Sequence, residues 1–312
     1  MPRSHALLAG LFDYAGLFPP ASRPLPEAMA GYARYRSGRS GWMLGRFVVP
    51  AASLEACSAL APKHCPTGEG DVPWRITALV APDADDDAAR IDAFNRRHAD
   101  AAQGAAVVDT VEARVAGSAD VRAARCWAGR GYEAYCEVPL GAALDGLLDA
   151  VAHAGLHAKV RTGGVVEESV PGAAHLAAFL CGCAVRGVVA KATAGLHHAV
   201  TGEYPLTYAA DAPRATLFGF LNLVLGAGIA EGAGRAAAGS GEVRATIARL
   251  LEAQEVPSWV GHAAVEWRGP HGPIIEGPVE QFAVAGRALI RSVGTCSFEE
   301  PVADARRVGL VV

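Results

Sequence analysis

A lysine set in an otherwise apolar strand is the residue of this chain best suited to covalent chemistry. Residues 185–198, VRGVVAKATAGLHH, read as a buried run of valine and alanine broken by Lys191. Gly195 ends the run, and His197 and His198 follow at its C-terminal mouth. If Lys191 points inward, period-2 alternation turns Val189 and Thr193 the same way and sends Ala190 and Ala192 to the covering layer. A cation in such surroundings snorkels to water, finds a counter-ion, or loses its proton and becomes a nucleophile. The third course is what Schiff-base formation with a carbonyl compound requires.

Other ionisable side chains fall at the ends of neighbouring strand candidates. Lys159 and Arg161, in HAKVRT, are two apart and share one strand face. Facing inward, they converge with Lys191, favour its neutral amine, and supply a carboxylate or phosphate clamp. Facing outward, they pair with Glu167 or Glu168. Glu137 shares parity with Glu133 and Tyr135; it serves proton transfer or bridges one of the cations. Arg46, Thr193 and His198 complete the strand-end set as substrate contacts. Asp13, between Gly10 and Gly16, is either presented to the site or a turn residue. Asn222 stands in the middle of an apolar helix and joins the substrate-binding candidates.

His197 suits acid–base work or hydrogen bonding better than metal ligation. Adjacent histidines point in different directions, and ligands would have to come from Glu137, Glu266 or His262. No metal and no cofactor is expected. Cys181 and Cys183 read as buried thiols. Cys296 has no assignable base, so packing is its expected role.

These residues need a scaffold that gathers strand ends. Strand candidates are 45–50, 74–80, 105–111, 132–138, 157–162 and 187–193, with 259–267 as a seventh and 292–298 as an eighth. Helices fall between them, near 26–37, 51–62, 83–99, 117–128, 140–154, 171–182, 214–231, 242–254 and 279–291. A last one spans 301–308, opened by the S-x-x-E spacing of Ser297 and Glu300. The alternation predicts an α/β fold, a (β/α)8 barrel of TIM type over a single domain, residues 1–312. The N-terminal segment and residues 199–241 are additions near its mouth, with 232–241 a flexible connection and 269–277 a turn-rich loop. An open doubly wound sheet is the alternative, but no strand runs into a Gly-rich phosphate signature.

Lys191-Ala-Thr-Ala-Gly195 resembles the K-T-S-T-G segment of deoxyribose-phosphate aldolase, a class I aldolase. The resemblance covers five residues, two identical and a third with Thr for Ser, at the end of what counts here as the sixth strand. It implies a barrel fold and a Schiff-base role for Lys191. The family's second catalytic lysine lies on the next strand, and Trp259–Trp267 has none; Lys159 then supplies that charge from the opposite side.

Composition narrows the partners. The chain has 312 residues, 51% of them hydrophobic, and a net charge of −4, which argues against nucleic-acid binding. Seven cysteines without framework spacing fit a reducing compartment. Asp13 interrupts the first apolar stretch, and no run of about 18 apolar residues stands out, so a cytoplasmic location without a membrane span is expected. The nearly continuous apolar helix 214–231 suggests a lid over the mouth or a homo-oligomer contact. Three functions follow: a lysine-dependent lyase on a small anionic carbonyl substrate; an isomerase, epimerase or hydrolase using Glu137 and a histidine; or a non-catalytic ligand-binding barrel.

Overall fold

Strands rich in valine, alanine and aromatic residues form the inner wall, and the amphipathic stretches between them cover it. The computed structural model describes residues 3–68, 70–83, 85–260, 264–269 and 272–311. In chain order, α1 (Arg3–Leu8), β1 (Phe12–Tyr14) and α2 (Leu25–Ser37) precede β2 (Leu44–Pro50). Then come α3 (Leu54–His64), β3 (Trp74–Val80), α4 (Asp85–His98), β4 (Ala106–Arg114) and α5 (Ser118–Gly129). The alternation continues with β5 (Glu133–Glu137), α6 (Leu144–Ala154), β6 (His157–Arg161), α7 (Ala173–Arg186) and β7 (Ala190–Thr193). An antiparallel ribbon follows, β8 (Gly202–Pro205) with β9 (Arg214–Leu217), and then α8 (Phe220–Gly232), α9 (Gly234–Ala238) and α10 (Gly241–Glu252). Last are β10 (Ser258–Val260), β11 (Ala264–Gly269), β12 (Gly272–Pro278), α11 (Val279–Leu289), β13 (Ile290–Thr295) and α12 (Glu299–Arg307).

Eight parallel strands close on themselves in the order β1-β13-β7-β6-β5-β4-β3-β2. This is the expected (β/α)8 barrel, and closure excludes the open doubly wound sheet: β1 pairs with β13 on one side and β2 on the other. The barrel's membership differs from the sequence reading at two strands. Residues 259–267 are not a barrel stave; β10 and β11 belong to a separate three-stranded antiparallel sheet with β12. Residues 261–263, including His262, lie outside the described residues. The missing stave is β1, only three residues long and wholly buried, too short for an alternation to register. Lys191 therefore sits on the seventh barrel strand.

The later part of the chain holds more regular structure than its composition suggests. Residues 214–217 are a strand, so the long apolar helix begins only at Phe220. The expected flexible connection holds the short helix α9, and the expected turn-rich loop at 269–277 contributes most of β12. Helix α8 is apolar all round because its own chain surrounds it with α7, α10 and α11. A Cβ at Gly228 or Gly286 would collide with a backbone carbonyl across the α8–α11 contact, so glycine sets that close approach. The apolar faces of this helix are therefore covered within the chain, with neither a lid position nor a partner subunit needed to account for them. One helical run, Glu167–Arg186, is long and apolar enough to cross a bilayer, but half of it is buried within the fold, against α8, α9 and α10.

Candidate active site

A cavity of about 500 Å³ opens at the C-terminal ends of the barrel strands, the face where such barrels carry function. Its floor is a chain of buried charges. Register places Lys159 of β6 directly beside Lys191 of β7. Glu112 of β4 spans the two, with Oε2 2.6 Å from Lys159 Nζ and Oε1 3.2 Å from Lys191 Nζ. Asp13 of β1 holds Lys191 from the other side at 2.8 Å, and Glu137 of β5 holds Lys159 at 2.8 Å. Lys191 is only 2% exposed, and its ammonium also lies 4.7 Å from the centre of the Tyr135 ring.

The expected ring of cations around Lys191 is corrected: the groups nearest its Nζ are carboxylates, because β1 and β4 bring acids up beside it. Burial opposes the charged form of Lys159, yet Glu112 and Glu137 outweigh it and hold its pKa above the ordinary lysine value. Burial likewise opposes ionised Glu112, but Lys159 and then Lys191 bring its pKa down to about 2. Glu137 is held below its usual range against the same desolvation, mainly by Lys159. Asp13 is fixed in turn by the Arg46 backbone N–H at 2.7 Å and the Ser292 hydroxyl at 2.7 Å.

Above the floor the cavity becomes a rim of mixed chemistry. Arg161 and Arg114 both reach Glu137, at 3.2 and 3.5 Å, and both line the opening with donors to spare. Lys159 and Arg161 thus face the cavity, and the outward pairing with Glu167 or Glu168 is not formed. Thr193 also lines it. Beyond Thr193 the backbone turns through left-handed Ala194 (φ +67°) and Gly195 (φ +78°). The Thr162 hydroxyl grips this turn by donating to the Ala194 carbonyl at 2.5 Å. The turn carries His197 and His198 back over the mouth.

His197 is buried, with Nδ1 2.8 Å from Glu300 Oε2 and Nε2 3.7 Å from Cys296 Sγ. The Ser297 hydroxyl does accept the Glu300 N–H, at 3.4 Å, as the capping spacing expects. The Glu300 carboxylate goes instead to His197 and to the Tyr208 hydroxyl, 3.1 Å away. His198 stacks on Tyr204 and meets Asp304 at 3.3 Å, while Asp304 also accepts the Ala199 N–H. These contacts pin the loop.

Two sequence candidates lie elsewhere. Arg46 belongs to the lower half of the barrel, where β2 has barely begun; it binds Asp109 at 2.8 Å and Glu133 at 2.9 Å and does not line the cavity. Asn222 is wholly buried at the start of α8. Its amide donates to the carbonyls of Leu250 and Ala253 and accepts the Thr201 N–H, a structural clasp rather than a substrate contact. Among the described residues no three of His, Cys, Asp and Glu stand together as a metal-holding group. Glu112, Arg114, Glu300 and Tyr208 are site residues that the sequence reading missed. The alternation Thr110, Glu112, Arg114 was the available signal for two of them, had the fourth strand been carried past Val111. No protein-family model, curated protein or solved structure matches the chain.

Proposed function

We propose that this barrel is a lysine-dependent lyase of aldolase type, acting on a small anionic carbonyl compound through a Schiff base on Lys191. One observation supports this above the others. The chain has only three lysines, Lys63, Lys159 and Lys191, against 25 arginines, and two of the three line the cavity floor. Arginine stays charged in proteins and serves wherever only a cation is needed. A lysine can give up its proton, and only the free amine attacks a carbonyl.

The acids around the two lysines fit each proton step. As the carbonyl carbon approaches Nζ, Asp13 accepts the ammonium proton across an existing contact of 2.8 Å. The C–N bond forms, the carbinolamine hydroxyl takes that proton back and leaves as water, and the iminium cation takes the ammonium's place between the same carboxylates. Cleavage of a β-hydroxy iminium then breaks the carbon–carbon bond. Its electron pair moves into the enamine, and the hydroxyl proton passes to a carboxylate of the network as the aldehyde departs. Protonation and hydrolysis of the enamine restore the lysine. Lys159, kept charged by Glu112 and Glu137, stabilises negative charge developing on oxygen, and Arg161 with Arg114 suits the substrate's anionic group.

Borohydride reduction in the presence of pyruvate or glycolaldehyde phosphate tests this reading. The expected result is a stable adduct on the peptide carrying Lys191, absent from Lys191→Met. Labelling confined to the exposed Lys63, or equal labelling of the Met variant, overturns it.

A further inference from the structure

The Cys296 thiol, expected to be mere packing, directly follows β13 in hydrogen-bond reach of an imidazole that is itself held by a carboxylate. We propose that Cys296, His197 and Glu300 form a nucleophilic thiol site for acyl transfer at the mouth of the cavity, taking a small ester or thioester. This inference does not depend on the lysine chemistry below it. Ser292, the register partner of Lys191, lies four residues before Cys296, so the thiol stands on the order of 10 Å higher along the barrel axis at strand rise. The two nucleophiles are set at different depths of one cavity.

The geometry assigns each member a part. Glu300 accepts from His197 Nδ1 at 2.8 Å, which fixes the ring and leaves Nε2 facing Sγ at 3.7 Å. The Thr295 hydroxyl, 3.3 Å from Nδ1, braces the same edge of the ring. Burial works against a charged imidazole here, but the bond to Cys296 and then Glu300 lift its pKa to about 10. The Tyr208 hydroxyl lies 3.8 Å from Sγ and donates to Glu300 at 3.1 Å, so it holds the carboxylate in place beside the sulfur. Cys57, Cys65, Cys136, Cys181 and Cys183 are buried, and desolvation raises their thiol pKa values. Exposed Cys126 meets the Pro82 carbonyl at 3.7 Å. Among the described residues Cys296 is the cysteine that has a base.

The chemistry balances without an outside oxidant. With the proton of the pair already held on Nε2, Sγ attacks the acyl carbon, giving a tetrahedral oxyanion. Its collapse breaks the bond to the leaving alcohol or thiol, which departs with the proton from His197, and a thioester remains on Cys296. Water then attacks the thioester, gives a proton to His197, and releases the acid with the thiolate restored. The anionic end of the substrate finds Arg114 and Arg161 on the same rim.

The test reads the thiol directly. On brief treatment with iodoacetamide, peptide mapping should show Cys296 alkylated at least about tenfold faster than Cys126, although Cys296 is only 5% exposed. His197→Gln should slow Cys296 at least about tenfold and leave Cys126 unchanged. Glu300→Gln keeps the side chain's shape and should slow Cys296 to a lesser degree, so the measurement stands even if the histidine variant does not fold. Treatment with p-nitrophenyl acetate should leave one acetyl group per chain on the Cys296 peptide. Alkylation of Cys296 slower than that of Cys126, indifference to both substitutions, or acetyl found only on lysine would overturn the proposal. The lysine reading is judged on a different peptide, so the two can fail separately.

Discussion

Replacing Glu112 by glutamine keeps the shape of the side chain and removes the charge that joins the two lysines. The cost follows from the depressed acidity. A carboxyl moved from 4.5 to about 2 is stabilised in the folded chain by about 3 kcal/mol, at about 1.4 kcal/mol per pH unit. The direct estimate agrees. Breaking a buried ion pair costs about 3–5 kcal/mol, and the lower end applies because Lys159 keeps Glu137 and Lys191 keeps Asp13. A loss of about 3 kcal/mol lowers the melting temperature of a chain this size by roughly 5–10 °C. The pH signature is more specific. Since the folded pKa lies below the unfolded one, the contribution is complete above about pH 4.5 and vanishes as pH falls through about 2. Urea unfolding of both proteins, at neutral pH and near pH 3, should show the gap between them shrinking on acidification. A neutral-pH gap under about 0.5 kcal/mol, the scale of an ordinary surface change, or a gap indifferent to pH, refutes the reasoning.

Two further outcomes follow from the structure. Asn222→Ala should destabilise the fold by on the order of 3 kcal/mol, since it takes the side-chain partner from the Ala253 carbonyl and the Thr201 N–H and leaves the Leu250 carbonyl with the Ala253 N–H alone. The same variant should still form the trapped lysine adduct; loss of the adduct in a folded Asn222→Ala protein would return this residue to the site. Gly195→Ala should cost about 1–2 kcal/mol for its left-handed backbone and loosen the loop bearing His197. Calorimetry showing no change would mean that the turn relaxes at no cost.

The barrel was legible because seven of its strands announce themselves as apolar runs between helical stretches. Its seventh position was misread because 259–267 has strand composition without barrel partners, while Phe12–Tyr14 has partners without the length to show a pattern. Lys159 and Arg161 could be placed on one strand face by parity alone, and their facing inward beside Lys191 was one of two readings. What surrounds them could not be placed, because Glu112 and Asp13 reach Lys191 across 79 and 178 residues of sequence. The thiol site was hidden for the same reason. Cys296 and His197 are 99 residues apart, and no spacing rule joins a cysteine to a base over that distance. The scarcity of lysine, by contrast, was countable from the start.

The short strand β1 has a consequence for how the molecule is made. Phe12 pairs with Val293, 281 residues later, so the cylinder stays split until the eighth stave arrives. Joining ends that far apart costs about 5 kcal/mol in chain entropy on the logarithmic scaling, recovered only when both seams of β1 zip. Asp13 rides on that strand. A nascent chain that has already laid down β4, β6 and β7 can align Lys159, Lys191 and Glu112, yet it still lacks the acid on Lys191's other flank. The finished charge balance around Lys191 therefore arrives with the final closure, and the cavity matures as the last event of assembly rather than stave by stave.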